Sequence, residues 1–396
     1  MKKLMLCGTA LVAAGLTCAP ASASEKIKLE LGGFSKWWVV GAWNDSSFQK
    51  ASNTFNGSLA AVGSNTNNVD VKGDNEIWFS GTTELDNGLK VGVEVHLEAG
   101  GHTDMTSDTI DKSFSWVEGG FGKVMLGTYA NGTVLLHVMA PDAAGNIGSE
   151  GLITGGFAVA QPTNVTVRQT TEIDTDDNSD KITYVSPQFH GFTVGATYVP
   201  NLREDSRYPT INSTQVYGVG GLYDNTYESL GLGVKVSGGY VMYDANPGDA
   251  TSTNTGKSNE WSVGTQLAWN GFTVGGAYRK INTNFVGTIN GANSAAAGTT
   301  SHAGRVWDAG IQYARDNWAV SFIHLNSQAE GDFGVRGSDI ERVYQVSGKY
   351  TLGPGVDVLA TAGYVTFDDE RQKQSTGGDS NHNEGWTLMT GLALTF

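Results

Sequence analysis

The sequence predicts an all-β protein, a 16-stranded antiparallel transmembrane β-barrel, and three observations carry that prediction. The tail from Gly385 to Phe396 alternates strictly: Trp386, Leu388, Leu392, Leu394 and Phe396 share one parity, Thr387, Gly391, Ala393 and Thr395 the other. Such alternation describes a strand with one apolar face. Alternating segments recur along the whole chain, and the connections between them are by turns short and long, the layout of an outer-membrane barrel. Finally, no apolar run beyond the first residues approaches helix-spanning length, yet the chain holds 10 Trp, 14 Tyr and 15 Phe. A polar average with many aromatics suits a barrel with a wet interior and aromatic girdles.

The N-terminus reads as a secretory signal. Met1-Lys2-Lys3 is a positive start, Leu4 to Leu16 a short apolar run, and Ala19-Pro20-Ala21-Ser22-Ala23 a small-residue cleavage site. Residues 1–23 are therefore expected to be removed, leaving 24–396 as one barrel domain. Both cysteines, Cys7 and Cys18, go with the signal, so the mature chain has neither disulfide nor thiol. A closed barrel manages without staples because inter-strand bonds satisfy every backbone group. The formal charge of −15 becomes −17 once Lys2 and Lys3 are lost, which argues against nucleic acid as a partner.

In chain order, strands are predicted near 27–43, 76–85, 88–98, 110–118 and 123–129, then 181–187, 190–200, 214–224 and 230–244. Others follow near 258–269, 271–281, 304–314, 317–326, 340–351, 356–367 and 384–396. Leu85-Asp86-Asn87-Gly88, Trp269-Asn270-Gly271 and Arg315-Asp316-Asn317 supply tight turns, where positive φ favours Asn, Asp and Gly. Long polar stretches at 44–75, 282–303 and 368–383 fall on the opposite rim. Ile27, Leu29 and Leu31 oppose Lys28 and Glu30; Leu89 to Leu97 oppose Lys90, Glu94, His96 and Glu98. Lys28, Glu30, Glu94, His96 and Glu98 are thereby candidates for the lumen.

The seven histidines show no metal-protease spacing, and no Gly-x-Ser-x-Gly elbow or Gly-x-Gly-x-x-Gly fingerprint occurs, so no enzyme is expected. The run Asp174-Thr175-Asp176-Asp177 starts like a calcium loop. Asn178 and Ser179 stand where glycine would be needed, and Val185 where a bidentate glutamate would close the site. A solvated acidic turn without cofactor is expected, with Ca2+ at Asp174, Asp176 and Asp180 as the alternative.

Phe121-Gly122-Lys123-Val124-Met125-Leu126-Gly127, a long loop, and then Asp180-Lys181-Ile182-Thr183-Tyr184-Val185-Ser186-Pro187 resemble the core signature of Gram-negative general porins. Leu85-Asp86-Asn87-Gly88-Leu89-Lys90-Val91-Gly92 resembles their second hairpin, and Phe396 the terminal aromatic that serves as the assembly signal. The resemblance implies a homotrimer of barrels in the outer membrane, each with its own pore. The partners it implies are lipid, lipopolysaccharide and the barrel-assembly machinery. It also implies that the third outer loop, about 129–180, folds inward and narrows the pore.

The expected function is passive diffusion of ions and small hydrophilic solutes. A substrate-selective channel is the runner-up, followed by a barrel-based enzyme or adhesin. Asp142 and Glu150 are the only acids between Tyr129 and Phe157, and are the expected loop side of the constriction. Lys36, Lys90 and Arg279, lumen-facing by parity, are expected opposite them.

Overall fold

The computed structural model describes residues 26–51, 68–101, 110–148, 151–154, 157–176, 179–202, 214–245, 256–282, 300–332, 334–374 and 378–396. The expected signal peptide, 1–23, lies outside the described residues. The strands are Lys28–Asn44 (β1), Val69–Glu84 (β2), Lys90–Gly101 (β3), Ile110–Gly119 (β4), Gly122–Thr128 (β5), Asp180–Val185 (β6), Phe192–Val199 (β7) and Thr214–Tyr227 (β8). Then come Leu232–Ala245 (β9), Gly256–Trp269 (β10), Phe272–Ile281 (β11), Thr300–Arg315 (β12), Trp318–Asp332 (β13), Asp339–Gly353 (β14), Val356–Asp368 (β15) and His382–Thr395 (β16). Two short helices, Ser46–Lys50 (α1) and Gly132–Leu135 (α2), lie in connections.

Each strand pairs with its sequence neighbours and β16 pairs with β1, closing the barrel. At the seam Trp37 faces Leu392 and Trp43 faces Trp386. Just beyond β16, the Phe396 amide donates to the Gly33 carbonyl at 3.1 Å, and the Phe396 carbonyl oxygen accepts from the Gly33 amide at 3.0 Å. Short turns carry the conformations their residues favour. Asn270 and Gly271 have φ of 48° and 82°, and His190 and Gly191 of 49° and 87°. Both signs match the twist of a two-residue hairpin.

Alternation sorts the two faces as expected. Leu31, Trp37, Val236, Phe322 and Leu388 stand exposed on the outside, whereas Ser262, Asp308, Ser321, Gln345 and Thr361 are buried on the other face. The largest departure is β2, which begins at Val69, inside a stretch read as loop. Val69-Asp70-Val71-Lys72-Gly73-Asp74 does alternate, and its charged parity pairs with Val40, Trp38 and Lys36 of β1. The charges were taken for loop, but they belong to the inward face of a long strand.

Candidate functional site

The segment between β5 and β6 makes the site. Asn131 caps α2, accepting from the amides of Thr133 at 2.8 Å and Val134 at 3.0 Å. Beyond that cap the chain walks across the wall, donating to one polar-face side chain after another. Gly132 N donates to Thr197 of β7 at 2.8 Å, Val138 N to Ser237 of β9 at 3.0 Å, and Ala140 N to Asp308 of β12 at 2.7 Å. Ala143 N donates to Ser321 of β13 at 3.0 Å, and the Asn146 side chain to Thr361 of β15 at 2.8 Å.

A second leg returns along the same strands. Ala160 N donates to Asn44 at 3.0 Å and its carbonyl accepts from Asn383 at 2.6 Å. Thr166 N donates to Asp339 of β14 at 2.7 Å, Ser327 of β13 donates to the Arg168 carbonyl, and Thr171 Oγ1 donates to Asp308 at 2.6 Å. Between the legs and the wall lies an apolar filling that includes Ile147, Ile153, Val159, Val165, Ile323, Leu325 and Phe367. Trp38, Val40, Leu152, Ala158 and Met389 form a second cluster at the turn of the two legs. At several positions beneath the outgoing leg the wall carries glycine, with no side chain to hold the loop off. A Cβ on Gly195 would come within 2.8 Å of the Gly132 carbonyl oxygen, and one on Gly220 within 2.8 Å of the same atom. A Cβ on Gly264 would overlap the Val138 carbonyl oxygen outright.

Two of the residues expected at the constriction, Asp142 and Arg279, take part in this docking. Asp142 points into its own turn, accepting from the amides of Ala144 at 3.1 Å, Asn146 at 2.6 Å and Ile147 at 3.1 Å, and from Gln345 at 2.9 Å. Arg279 is fully buried. It donates to Glu260 at 2.8 Å, Asp174 at 2.9 Å, Thr175 at 2.8 Å and the Thr170 carbonyl at 3.2 Å, and also to the Glu172 carbonyl. Glu150 lies outside the described residues. Lys90 sits opposite Glu84 and Glu118, beside Lys28 and the β2–β3 turn, at the short-turn rim. Lys36 sits away from that rim, 3.1 Å from Asp74. Among the four described residues, no ion pair joins Asp142 to Lys36, Lys90 or Arg279.

The polar faces of β1 to β4 carry the charges that sequence reasoning underweighted. The register places Lys28 and Glu30 on one face with Ser80, Glu94, His96 and Glu98. His96 lies 3.5 Å from both Glu76 and Glu94, and Lys112 lies 4.0 Å from Glu76 and 2.7 Å from Asp111. Asp111 reaches this face through a bulge: His96 pairs with Lys112 but Leu97 with Ile110, leaving Asp111 as the extra residue. Its signal in the sequence was a lone acid at a lipid-facing parity. Across the same sector runs a band of rings. Phe34 and Trp78 lie 5.8 Å apart, Trp78 and His96 5.1 Å, His96 and Phe114 6.4 Å, and Phe114 and Tyr129 4.1 Å.

The acidic run before β6 is drawn into the wall. Asp174 pairs with Arg279, Asp176 lies 3.6 Å from the Lys181 ammonium, and Asp180 accepts from Thr128 at 3.1 Å. Burial pushes the Asp176 carboxyl above its ordinary range, with Lys181 opposing the shift. His137, hydrogen-bonded to Thr171 at 3.1 Å, is pushed down to about 4, first by burial and then by the nearby Arg279 charge. Among the described residues the carboxylate groups close enough to share a cation are Glu76, Glu98 and Asp111, and Asp339, Asp369 and Glu370.

Residues 9–370 match the family model of the Gram-negative porins. Among solved structures, a porin refined at 1.8 Å resolution matches with a TM-score of 0.58 at 13% identity, over 93% of this chain and 100% of its own. The anion-selective porin from Comamonas acidovorans gives 0.57 at 14%, over 94% of this chain and 100% of its own. A loop-deleted OmpT, an outer membrane protein of Vibrio cholerae, gives 0.52 at 12%, again over 94% and 100%. At such identities the likeness concerns the fold alone. No curated protein sequence matches the chain. Because the family match spans most of the chain and the fold agrees with it, this protein belongs to the Gram-negative porins and forms an outer-membrane channel.

Proposed function

We propose that the segment between β5 and β6 folds into the lumen and lines it from β7 round to β16. Ions and small hydrophilic solutes then pass along the charged sector of β1 to β4. The carrying observation is the double row of hydrogen bonds from this segment to wall side chains, from Gly132–Thr197 to Ala160–Asn44. Selectivity then rests on Lys36, Asp74, Glu76, Glu94, His96, Glu98, Asp111 and Lys112 rather than on Asp142 and Arg279. Charges gathered on one side of a narrow wet passage set a local field that sorts solutes by size and charge. The process needs no catalytic turnover. A planar bilayer under a salt gradient tests the reading. Neutralising Glu76 or Lys112 should move the reversal potential, and an unmoved potential in both variants would place the passage elsewhere.

A second reading, a channel selective for cyclic solutes, is favoured by the band from Phe34 to Tyr129, since ring faces bind the apolar faces of sugars or aromatic acids. Liposome swelling that is faster for a hexose than for a linear polyol of equal mass would support it. The proposed assembly is a homotrimer through the outward faces of β1, β2 and β16, where Trp37, Trp43, Val69, Val71 and Trp386 are exposed. The rest of the outer surface is left to lipid and lipopolysaccharide, and Phe396 is left to the assembly machinery. Crosslinking in mild detergent that yields only monomers would overturn the trimer.

A further inference from the structure

At the long-loop rim, the connection after β13 meets the one after β15. Asp339, Asp369 and Glu370 each bring a carboxylate oxygen there, and the three oxygens lie within 4.8 Å of one another. That separation is the width of a coordination sphere with bonds of about 2.4 Å, the length calcium forms with oxygen. The Glu370 side chain has no exposed surface, and its Oε2 is buried without a hydrogen-bond partner. Its Oε1 accepts weakly from the Asp332 amide at 3.3 Å. Asp339 has Oδ2 engaged by the Thr166 amide at 2.7 Å and Oδ1 by the Glu370 amide at 3.3 Å.

Arg371 is the neighbouring cation, but it serves Asp332, Asp369 and Glu370 at once, and at 3.5 Å its reach to Glu370 is long. A buried carboxylate oxygen with no partner is costly and calls for a proton or a cation. A proton bridges two carboxylates, whereas here three converge, all with hard oxygen donors.

We propose that Asp339, Asp369 and Glu370 bind a divalent cation, calcium by size, that clips the β13–β14 and β15–β16 connections together. Because Thr166 donates to Asp339 through both its amide and its hydroxyl, the clip also fastens the returning leg of the loop below it. The site is separate from the charged sector of β1 to β4, and its test does not depend on how solutes pass.

Hydrogen exchange on the folded full chain in detergent, at neutral pH with either calcium chloride or EDTA, reads the site. Peptides carrying the Thr166, Asp332 and Glu370 amides should exchange roughly tenfold more slowly once calcium is about ten times its dissociation constant. Glu370→Gln should abolish the difference while strand amides keep their protection. Asp369→Asn serves the same purpose should the first variant fail to fold. Equal exchange in calcium and EDTA at ~5 mM cation, well above the range of extracellular calcium modules, would overturn the proposal. So would slowing that persists in both variants. Protection gained by lowering pH but not by calcium would overturn it too, assigning the carboxylates a shared proton.

Discussion

Arg279 Nε donates to Glu260 Oε2 at 2.8 Å on the inner wall, and neither side chain has more than 1% of its surface exposed. The pair sits on neighbouring strands, β11 and β10, but what seals it is the returning leg at Thr170 to Thr175, which spends two carbonyls and two side chains on the guanidinium.

Arg279→Met should therefore loosen the loop rather than alter charge selectivity. It strands a buried carboxylate and frees the loop carbonyls, a loss of about 3–5 kcal/mol. Thermal unfolding should begin earlier and single-channel conductance should rise or become noisy. The double variant with Glu260→Gln should recover part of the stability.

Asp142→Asn removes the charge that three amides of its turn share, at a cost of about 1–3 kcal/mol. The reversal potential should stay close to that of the wild type, because the carboxylate faces its own backbone and Gln345. A marked shift would restore Asp142 to the conduction path.

Lys36→Gln leaves Asp74 without its partner at 3.1 Å in the open sector. For a part-exposed pair the electrostatic change is under about 1 kcal/mol, so the cation-to-anion permeability ratio should rise about twofold to threefold. The reversal potential under a salt gradient measures it, and the effect should shrink at high salt.

Acid should undock the loop. His137 is neutral where it is buried, with its protonation pushed down to about 4 against an ordinary value near 6.5. The unfolded or undocked chain thus binds the proton more readily. Docking is at full strength above about pH 6.5 and is lost as pH falls toward 4, a change of roughly 3 kcal/mol. Asp174 opposes the shift and Arg279 supports it. Asp176, held above its ordinary range by burial, works in the opposite sense, because its docked form binds the proton more readily. Conductance recorded from pH 7 to 4 should change in this window, and His137→Gln should flatten the response.

The strands were legible because period-two patterning is local. Trp386 to Phe396 and Leu89 to Leu97 declare their faces without help from the rest of the chain. Height around the barrel was not legible. Parity put Lys36 and Lys90 on one face, but only the register shows that one lies among mid-strand charges and the other at a turn. The path of the loop was hidden for a different reason. Its residues have no period, and their partners, such as Asp308 for Ala140, lie more than a hundred residues away. The inward turn of Asp111 was not legible because a bulge breaks parity, and the start of β2 was read as loop because lumen charges look like loop charges.

The bare patch formed by Gly195, Gly220 and Gly264 has a consequence for how such proteins diversify. A mutation to any residue larger than glycine there leaves the strand pairing untouched, yet denies the loop its seat. Conversely, a loop grafted from a relative would meet a wall cut to a different template. The loop and its seat must therefore change together over evolution, and swapping loops alone should yield barrels that assemble with the loop unseated.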